Sequence, residues 1–288
     1  MSKFISLHKK HFDLKKFILA ALKEDVGDGD HTALSTIPAS HKGKMQLLVK
    51  EEGIIAGVEA AVETFKIIDK NIKVKVLIKD GQAVKKGDVA FIVEGKTQKL
   101  ITGERLVLNI MQRMSGIATK TDHLQSLCYG TKAKVIDTRK TTPGFRFFEK
   151  WAVVIGGGAN HRYGLFDMIL IKDNHIDFAG GVSQAIVAAQ QYLRKKKKKL
   201  PIEVETRTLL DVEEVLRHKG VDRIMLDNYS IENTIKAVNL IGRKAQIESS
   251  GGITEKNISD YAGCGVDLIS VGALTHHVKS LDLSLKAL

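Results

Sequence analysis

The second half of the chain alternates between short apolar runs and segments in which apolar residues have helical spacing. From Val135 onward the apolar runs have the length of strands. The predicted strands are 135–137, 168–172, 202–206, 223–227, 246–249 and 268–271, and the helices between them include 183–193, 209–217, 231–240 and 255–261. Successive strand–helix steps predict a parallel sheet with right-handed crossovers. Their number and short spacing favour a complete or truncated α/β barrel over an open sheet.

The first half of the chain has a mixed pattern that predicts a separate α+β domain. Asp13 to Lys23 has the spacing of an amphipathic helix with Asp13 as its N-cap. Met45 to Glu52 reads as a strand and Val58 to Ile68 as a helix. Val74 to Ile78 and Val89 to Val93 predict a strand pair around glycine turns.

A long helical pattern from Glu104 to Leu127 is a natural bridge between these two domains. The pattern is interrupted near Ser115 and Gly116, which predicts a break there. Arg105 is expected in the first turn of this helix. Its spacing alone indicates no more than a surface charge.

A further helix is predicted between the first two strands of the barrel. Phe145 to Ile155 has helical apolar spacing, and the glycines at 156–158 end it. Asp137 ends the strand before this helix, and Lys172 ends the strand after it. Glu205, Asp227 and Glu248 end later strands, and Gly272 follows the last one. In a barrel the carboxyl ends of the strands form the active-site face, so we expect the chemistry there.

Two opposed sets of charges occupy this predicted face. The cationic set suits carboxylates, because the planar fork of arginine binds them bidentately; it comprises Arg139, Lys140, His161, Arg162 and Lys172. Glu205 and Asp227 are suited to a hydrated Mg²⁺ or to ribose hydroxyls. The sequences Ser249-Ser250-Gly251-Gly252 and Val271-Gly272-Ala273 stand where barrels commonly bind phosphate.

Each of these residues also has an ordinary structural interpretation. A carboxylate at a strand end is a helix cap or an ion-pair partner about as often as it is a ligand. An isolated His161 would more often be structural. The glycines at 156–158 do not match the dinucleotide-binding spacing, and the chain has no P-loop motif. The combination of these residues at one predicted edge is what points to an anion-binding enzyme.

Composition narrows the class of protein. Of 288 residues, 43% are hydrophobic, which is typical of a globular protein, and no apolar run approaches the ~18 residues of a membrane span. No secretion signal is recognisable, so we expect a cytoplasmic protein that does not bind membranes. Cys128 and Cys264 lack metal-ligand spacing and are predicted to be reduced thiols.

The net charge of +12 favours anionic partners. The run Lys195 to Lys199 follows a helical segment, where cations are easily solvated. We therefore interpret it as a surface feature and do not predict nucleic-acid binding.

Seven motifs, in order, make the chain resemble the quinolinate phosphoribosyltransferase family. They read DTRKTTPG, GGGANHR, LIKDNH, EVET, MLDN, ESSGGI and SVGALTH, and the resemblance extends to EDVGDGDHT and GERLVLNIMQRMSGIAT. The resemblance implies a type II phosphoribosyltransferase fold with an N-terminal α/β sandwich and an open (incomplete) α/β barrel. The implied domains are 1–115, joined by the C-terminal segment 275–288, and 116–274.

The resemblance also implies the reaction and the residue roles. Quinolinate and phosphoribosyl pyrophosphate would give nicotinate mononucleotide, pyrophosphate and CO₂, with Mg²⁺ as cofactor, in de novo NAD synthesis. Arg139, His161, Arg162 and Lys172 would bind the two carboxylates, and Arg105 would reach them from a partner subunit in a homodimer, with higher oligomers left open. Lys140, Glu205 and Asp227 would face phosphoribosyl pyrophosphate and its metal, and the 5′-phosphate would lie against Ser250, Gly251, Gly252 and Gly272.

The chain departs from the family's sequence pattern in places, and two alternative functions stay open. Relative to the family's common spacing, the segment between Glu205 and Asp227 has one inserted residue, which leaves Glu203 as a second candidate on the same strand face. His277 stands where the family more often has a small polar residue.

The alternative functions are a transferase of the same fold that uses nicotinate or is associated with molybdenum, and a noncatalytic binding protein. The segment DGQAVKKGDVAFIVEG resembles carrier-domain turns, but it lacks a modifiable lysine between apolar flanks.

Overall fold

The computed structural model describes residues 3–8 and 10–288, and the chain forms two compact units. The first unit contains the residues up to Asp122, Thr141–Gly157 and His277–Leu288. The second unit contains His123–Lys140 and Gly158–His276. Within the described ranges, no helix combines the length and the apolar character that a bilayer crossing requires.

The first unit is built on a four-stranded antiparallel sheet with the order β12-β1-β5-β3. Its strands and helices are α1 (Lys3–His8), α2 (Leu14–Val26), α3 (His31–Thr36), β1 (Lys42–Val49), β2 (Gly53–Ile54), α4 (Val58–Ile68), β3 (Lys73–Val76), β4 (Ala83–Val84), β5 (Val89–Lys96), α6 (Arg146–Ile155) and β12 (Leu283–Ala287). In β1, Met45, Leu47 and Val49 alternate with more exposed residues, so one face of the sheet is buried. This face and α4 enclose a core around Phe65 and Phe91.

The long helix α5 (Thr97–Ser126) differs from its prediction in two ways. It begins seven residues before Glu104, so Arg105 lies past its first two turns. It is also continuous through Ser115 and Gly116. A side chain at Gly116 would collide with the backbone oxygen of Lys279, so this glycine permits close packing and does not break the helix.

Residues 141–157, which the sequence had assigned to the barrel domain, pack with the first unit. The physical reason is an aromatic cluster in which α6 meets the start of the chain: Phe12 and Phe147 stack with ring centroids 4.3 Å apart, and Phe4 stacks on Trp151 at 5.6 Å. The domain limits at 115/116 and 274/275 stay a prediction.

The second unit is a parallel sheet of six strands with the order β6-β11-β10-β9-β8-β7. Its elements are β6 (Lys134–Ile136), β7 (Ile169–Ile171), α7 (Asp173–Ala179), α8 (Val182–Lys196), β8 (Ile202–Thr206), α9 (Leu209–Leu216), β9 (Arg223–Asp227), α10 (Ile231–Ile241), β10 (Gln246–Ser250), α11 (Ile258–Gly263), β11 (Leu268–Ser270) and α12 (Ala273–His276). Helices follow β7 to β11, as the alternating pattern predicted. Since β6 and β7 lie at opposite edges and do not pair in the described chain, the barrel is open between them, as expected for this fold class.

Two local features of the second unit, a lysine run and two cysteines, were also predicted from the sequence. Lys195 to Lys199 are exposed at the end of α8, where Lys197 has a left-handed backbone and caps the helix. Cys128 and Cys264 are both free thiols.

Candidate active site

A cavity of about 790 Å³ opens at the carboxyl ends of the parallel strands in the second unit. All but one of the predicted site residues line it: Arg139, Lys140, His161, Arg162, Lys172, Glu205, Asp227, Ser250, Gly251, Gly252 and Gly272. The exception is Arg105, which is exposed on α5 in the first unit and is not among the lining residues.

The strands place these residues in layers across the barrel interior. Glu205 on β8, Met225 on β9 and Glu248 on β10 are in register, so their side chains share one face of the sheet. Asp227 and Ser250 form the next pair toward the cavity mouth. Glu203 and Arg223 pair one layer below Glu205, on the side away from the mouth.

Positive charge is concentrated on one side of the cavity. Burial lowers the pKa of Arg162, and the nearby charge of Arg139 lowers it further. Arg162 is held in place because its Nη1 donates to the backbone oxygen of Met168 at 3.2 Å. Two guanidinium groups that repel each other in a half-buried site would both be stabilised by a bound anion.

A second part of the cavity carries carboxylates. Lys172 Nζ donates to Glu205 Oε2 at 3.1 Å. Burial raises the pKa of Asp227, and the charge of Glu205 raises it further. A cation between these two carboxylates would relieve that repulsion, so the pair fits a divalent metal that prefers oxygen ligands.

Glu203 and Glu205, the two candidate carboxylates on β8, occupy different positions. Glu205 lines the cavity, whereas Glu203 is fully buried beside His161.

His161 lies at the cavity wall, but its ring is not arranged as a cation. The segment that carries it lies beside β6, where Ala159 bridges to Ile136 and the His161 N–H donates to Asp137 Oδ1 at 2.9 Å. The backbone N–H of Arg162 donates to His161 Nδ1 at 2.6 Å, so this nitrogen is an acceptor and carries no proton. His161 Nε2 lies 3.1 Å from Glu203 Oε2, which suits a neutral ring with its proton on Nε2. The sequence had placed His161 in a cationic floor.

Beneath His161 lies a buried charged cluster of Glu203, Arg223 and Glu248. Arg223 Nη1 lies 2.9 Å from Glu248 Oε2 and 3.6 Å from Glu203 Oε2. Burial raises the pKa of both carboxyls, that of Glu248 to about 7, where the charge of Glu203 adds to the effect. Sequence reasoning marked Glu248 only as a strand end and gave Arg223 no role. The alternation along β8 to β10 was the signal that could have placed all three inside the barrel.

This cluster also has the composition of a metal site, since ligand atoms of His161, Glu203 and Glu248 all lie within 4.8 Å of one another. The guanidinium of Arg223 already contacts both carboxylates. A cation inside the cluster would therefore meet a fixed positive charge, and we do not assign a metal there.

A third side of the cavity is formed by backbone. Gly251 and Gly252 follow β10 with φ of +88° and +61°, a left-handed turn that exposes backbone amides. Lys140 and His276 stand over Gly272, where an added Cβ would lie 3.1 Å from Lys140 Cδ and 3.0 Å from His276 Nε2. The Thr275 hydroxyl donates to the Lys140 backbone oxygen at 2.7 Å and fixes this arrangement. Sequence reasoning included His276 in the motif SVGALTH but gave it no role.

The chain is similar to known proteins over most of its length. Models of the N-terminal and C-terminal domains of quinolinate phosphoribosyl transferase match residues 30–115 and 117–286. Quinolinate phosphoribosyltransferase [decarboxylating] 1b of Nicotiana tabacum is 46% identical, with 96% of this chain and 82% of that protein covered. The probable nicotinate-nucleotide pyrophosphorylase [carboxylating] of Bacillus subtilis (strain 168) is 41% identical, with 96% and 93% covered. The crystal structure of NadC from Streptococcus pyogenes superposes with a TM-score of 0.89 at 39% identity, covering 96% of this chain and 97% of that one.

Proposed function

Because the chain belongs to the quinolinate phosphoribosyltransferase family, we propose that it transfers the phosphoribosyl group of phosphoribosyl pyrophosphate to quinolinate. The products are nicotinate mononucleotide, pyrophosphate and CO₂, as in de novo NAD synthesis. The observation that carries this function is one cavity that combines cations for a dicarboxylate with glycine amides for a phosphate and a carboxylate pair for a metal.

Quinolinate, rather than nicotinate, fits the number of cations. Arg139, Arg162 and Lys172 line the same cavity, and a substrate with two carboxylates uses them more fully than a substrate with one. Lys172 is assigned to orient the carboxylate that is lost. His161, with both ring nitrogens engaged by protein groups, is assigned to shape the ring pocket.

The other substrate is assigned to the remaining residues of the cavity. The 5′-phosphate of phosphoribosyl pyrophosphate would lie on Ser250, Gly251, Gly252 and Gly272, and Lys140 would face its pyrophosphate. Glu205 and Asp227 would hold Mg²⁺, which when bound neutralises charge on the pyrophosphate.

The chemistry needs positioning and charge more than a protein nucleophile. The pyridine nitrogen attacks the anomeric carbon of the ribose while pyrophosphate leaves, so the site must hold both substrates in line and stabilise the leaving charge. Alkylation of the nitrogen makes the ring cationic. The ring then accepts the electron pair that remains at C2 when CO₂ departs, and a proton must reach C2.

We also infer a homodimeric assembly and a cytosolic location. Arg105 is assigned to the active site of a partner subunit, which makes the enzyme a homodimer with shared sites. Two free cysteines suit a reducing compartment, and we assign the enzyme to the cytosol.

The test is an assay of the purified protein with phosphoribosyl pyrophosphate, Mg²⁺ and either quinolinate or nicotinate. We expect nicotinate mononucleotide and CO₂ from quinolinate and no turnover of nicotinate. Turnover of nicotinate would favour the rival transferase, and no product from either substrate would favour a binding protein of the same fold.

A further inference from the structure

Two short segments carry the arginines that line the active-site cavity. The first arm, residues 138–140, comes shortly after β6 and contains Arg139, and the second arm, residues 161–162, contains Arg162. Most of the chain between them, Thr141–Gly157, belongs to the first unit. Within the second unit the two arms are therefore held together by contacts rather than by the chain that connects them.

One buried carboxylate joins the two arms. Asp137, the residue directly before the first arm, is fully buried. Its Oδ1 accepts from the His161 N–H at 2.9 Å, and its Oδ2 accepts from Asn160 Nδ2 at 2.6 Å. Both donors lie at the start of the second arm. This one side chain thus sets where the second arm begins relative to the first.

The backbone pairing beside β6 stops where this side chain takes over. The Ala159 N–H donates to the Val135 oxygen at 2.9 Å, and the Asp137 N–H donates to the Ala159 oxygen at 3.3 Å. For the next two residues of the segment, the Asp137 carboxylate supplies acceptors. A carboxylate has two oxygens that only accept, so it suits two donors, whereas an amide would offer one acceptor and one donor.

Other contacts hold each arm separately. The Lys140 oxygen in the first arm accepts from the Thr275 hydroxyl at 2.7 Å, and Arg162 Nη1 in the second arm donates to the Met168 oxygen at 3.2 Å. The arms also repel each other, since the charge of Arg139 lowers the pKa of Arg162. A link between the arms has to offset this repulsion until an anion binds.

We propose that Asp137 is a positioning residue, which fixes the spacing of the two cationic arms and so prepares the cavity for a substrate with two carboxylates. This inference rests on the proposed function. Because the spacing is set beforehand, quinolinate binds without the cost of ordering the arms. Bound quinolinate then bridges the arms itself. The contribution of Asp137 therefore belongs to the binding of quinolinate more than to the chemical steps at saturation.

Asp137→Asn in the full chain tests this role, because asparagine keeps the size of the side chain and removes its charge. We expect the KM for quinolinate to rise about 10-fold or more, since charge-assisted hydrogen bonds are about twice as strong as neutral ones. The kcat and the KM for phosphoribosyl pyrophosphate should change by less than about threefold, because Lys140 keeps its contact with Thr275. Steady-state kinetics with each substrate varied in turn measures these values.

The double variant Asp137→Asn with Asn160→Asp exchanges donor and acceptor. The new amide can still accept from the His161 N–H, and its nitrogen can donate to the new carboxylate across the 2.6 Å contact. We expect the KM for quinolinate to return to within about threefold of the wild-type value. A general loss of structure would not be repaired by this exchange. A double variant with a KM no lower than that of Asp137→Asn would overturn the proposal.

Asp267→Asn is the matched control at the amino ends of β10 and β11. Asp267 Oδ2 accepts from the Ile247 N–H at 2.8 Å, and its Oδ1 accepts from Lys132 Nζ at 2.6 Å. The same chemical change therefore weakens two similar hydrogen bonds at the end of the strands that faces away from the cavity. It should lower the melting temperature and leave the KM for quinolinate unchanged.

Asn160→Ala gives a result even if Asp137→Asn does not fold. It removes one of the two contacts and keeps the Asp137 carboxylate, so the KM for quinolinate should rise by about threefold or more while kcat is retained. A wild-type KM for quinolinate in Asn160→Ala or in folded Asp137→Asn would overturn the role of Asp137 and leave the proposed function intact. A wild-type protein that does not turn over quinolinate would overturn both.

Discussion

At the scale of single residues, Gly251 determines how closely two loops of the cavity approach each other. Its φ of +88° is in the left-handed region, and an added Cβ would overlap the side-chain amide of Asn228. Asn228 is itself fixed, since its N–H donates to Ser250 O at 2.8 Å and its Nδ2 donates to Asp227 Oδ2 at 2.8 Å. The position assigned to the 5′-phosphate is thus coupled to the carboxylate assigned to the metal.

Gly251→Ala should raise the KM for phosphoribosyl pyrophosphate and destabilise the protein by about 1–3 kcal/mol, because alanine adds backbone strain and displaces Asn228. Steady-state kinetics and denaturant unfolding measure the two effects. Gly242→Ala is the matched control: Gly242 has φ of +58°, but an added Cβ meets nothing within 4 Å. It should lose stability and keep its KM. Equal kinetics in both variants would argue against the phosphate assignment.

The site was partly predictable at this scale. Asp227 ends a strand and Lys172 directly follows one, and a parallel sheet brings strand ends to one edge, so sequence alone located the rim. The state of His161 was not predictable, because it depends on a backbone N–H next to the ring and on two carboxyls from distant strands. Such long-range contacts leave no local pattern.

At the scale of elements, α6 is held by a buried ion pair. Glu149 is fully buried, and its Oε1 accepts from both Arg113 Nε at 3.1 Å and Arg113 Nη2 at 2.8 Å. Its Oε2 accepts from the Thr142 N–H at 3.0 Å, and the Thr142 hydroxyl donates to Oε1 at 2.9 Å. One carboxylate therefore ties α6 to α5 and to the loop before α6.

Glu149→Ala should reduce the free energy of unfolding by about 3–5 kcal/mol, because it leaves the Arg113 guanidinium without its buried counter-ion. Urea unfolding followed by circular dichroism measures this loss. Glu63→Ala removes the carboxylate of the surface pair with Lys66 and should cost no more than about 1 kcal/mol. A loss of unfolding free energy for Glu149→Ala as small as that for Glu63→Ala would mean that the buried ion pair adds little to stability.

The elements themselves were largely predictable where periodicity was strong. All six barrel strands lie within about two residues of their predicted bounds, since β-branched runs between helices are clear signals. The start of α5 was missed because TQKLITG has little helical preference. Tertiary contacts decide there: Leu100 is fully buried, and Gln98 Nε2 donates to the Ile37 oxygen at 2.8 Å.

At the scale of the whole molecule, the distribution of site residues between units bears on assembly. The cavity and its lining belong to the second unit, whereas Arg105 belongs to the first. The fold class followed from the change in pattern near Val135, whereas the place of residues 141–157 in the first unit did not. Subunit number leaves no comparable pattern in one chain, because an exposed arginine has the same spacing whether or not a partner covers it.

Mixing Arg105→Ala with Lys172→Ala protein should restore activity if Arg105 acts across a dimer. Each variant alone should be inactive. After subunit exchange, half of the dimers are mixed and each has one intact site, so about one quarter of wild-type activity is expected. The assay is product formation after mixing, with sedimentation to verify the dimer. No recovery from a verified mixed dimer would mean that Arg105 does not act in trans.

The pairing of β12 with β1 has a consequence for the order of events during synthesis. Leu283–Ala287 lies along Met45–Val49, and Leu285 faces Leu47 in the register. The ribosome makes β1 early and β12 only after all strands of the barrel, so the first sheet waits for its last strand while the second unit emerges complete. Until then one side of β1 presents unpaired backbone groups next to apolar side chains, which is the feature that chaperones and misfolded aggregates both recognise.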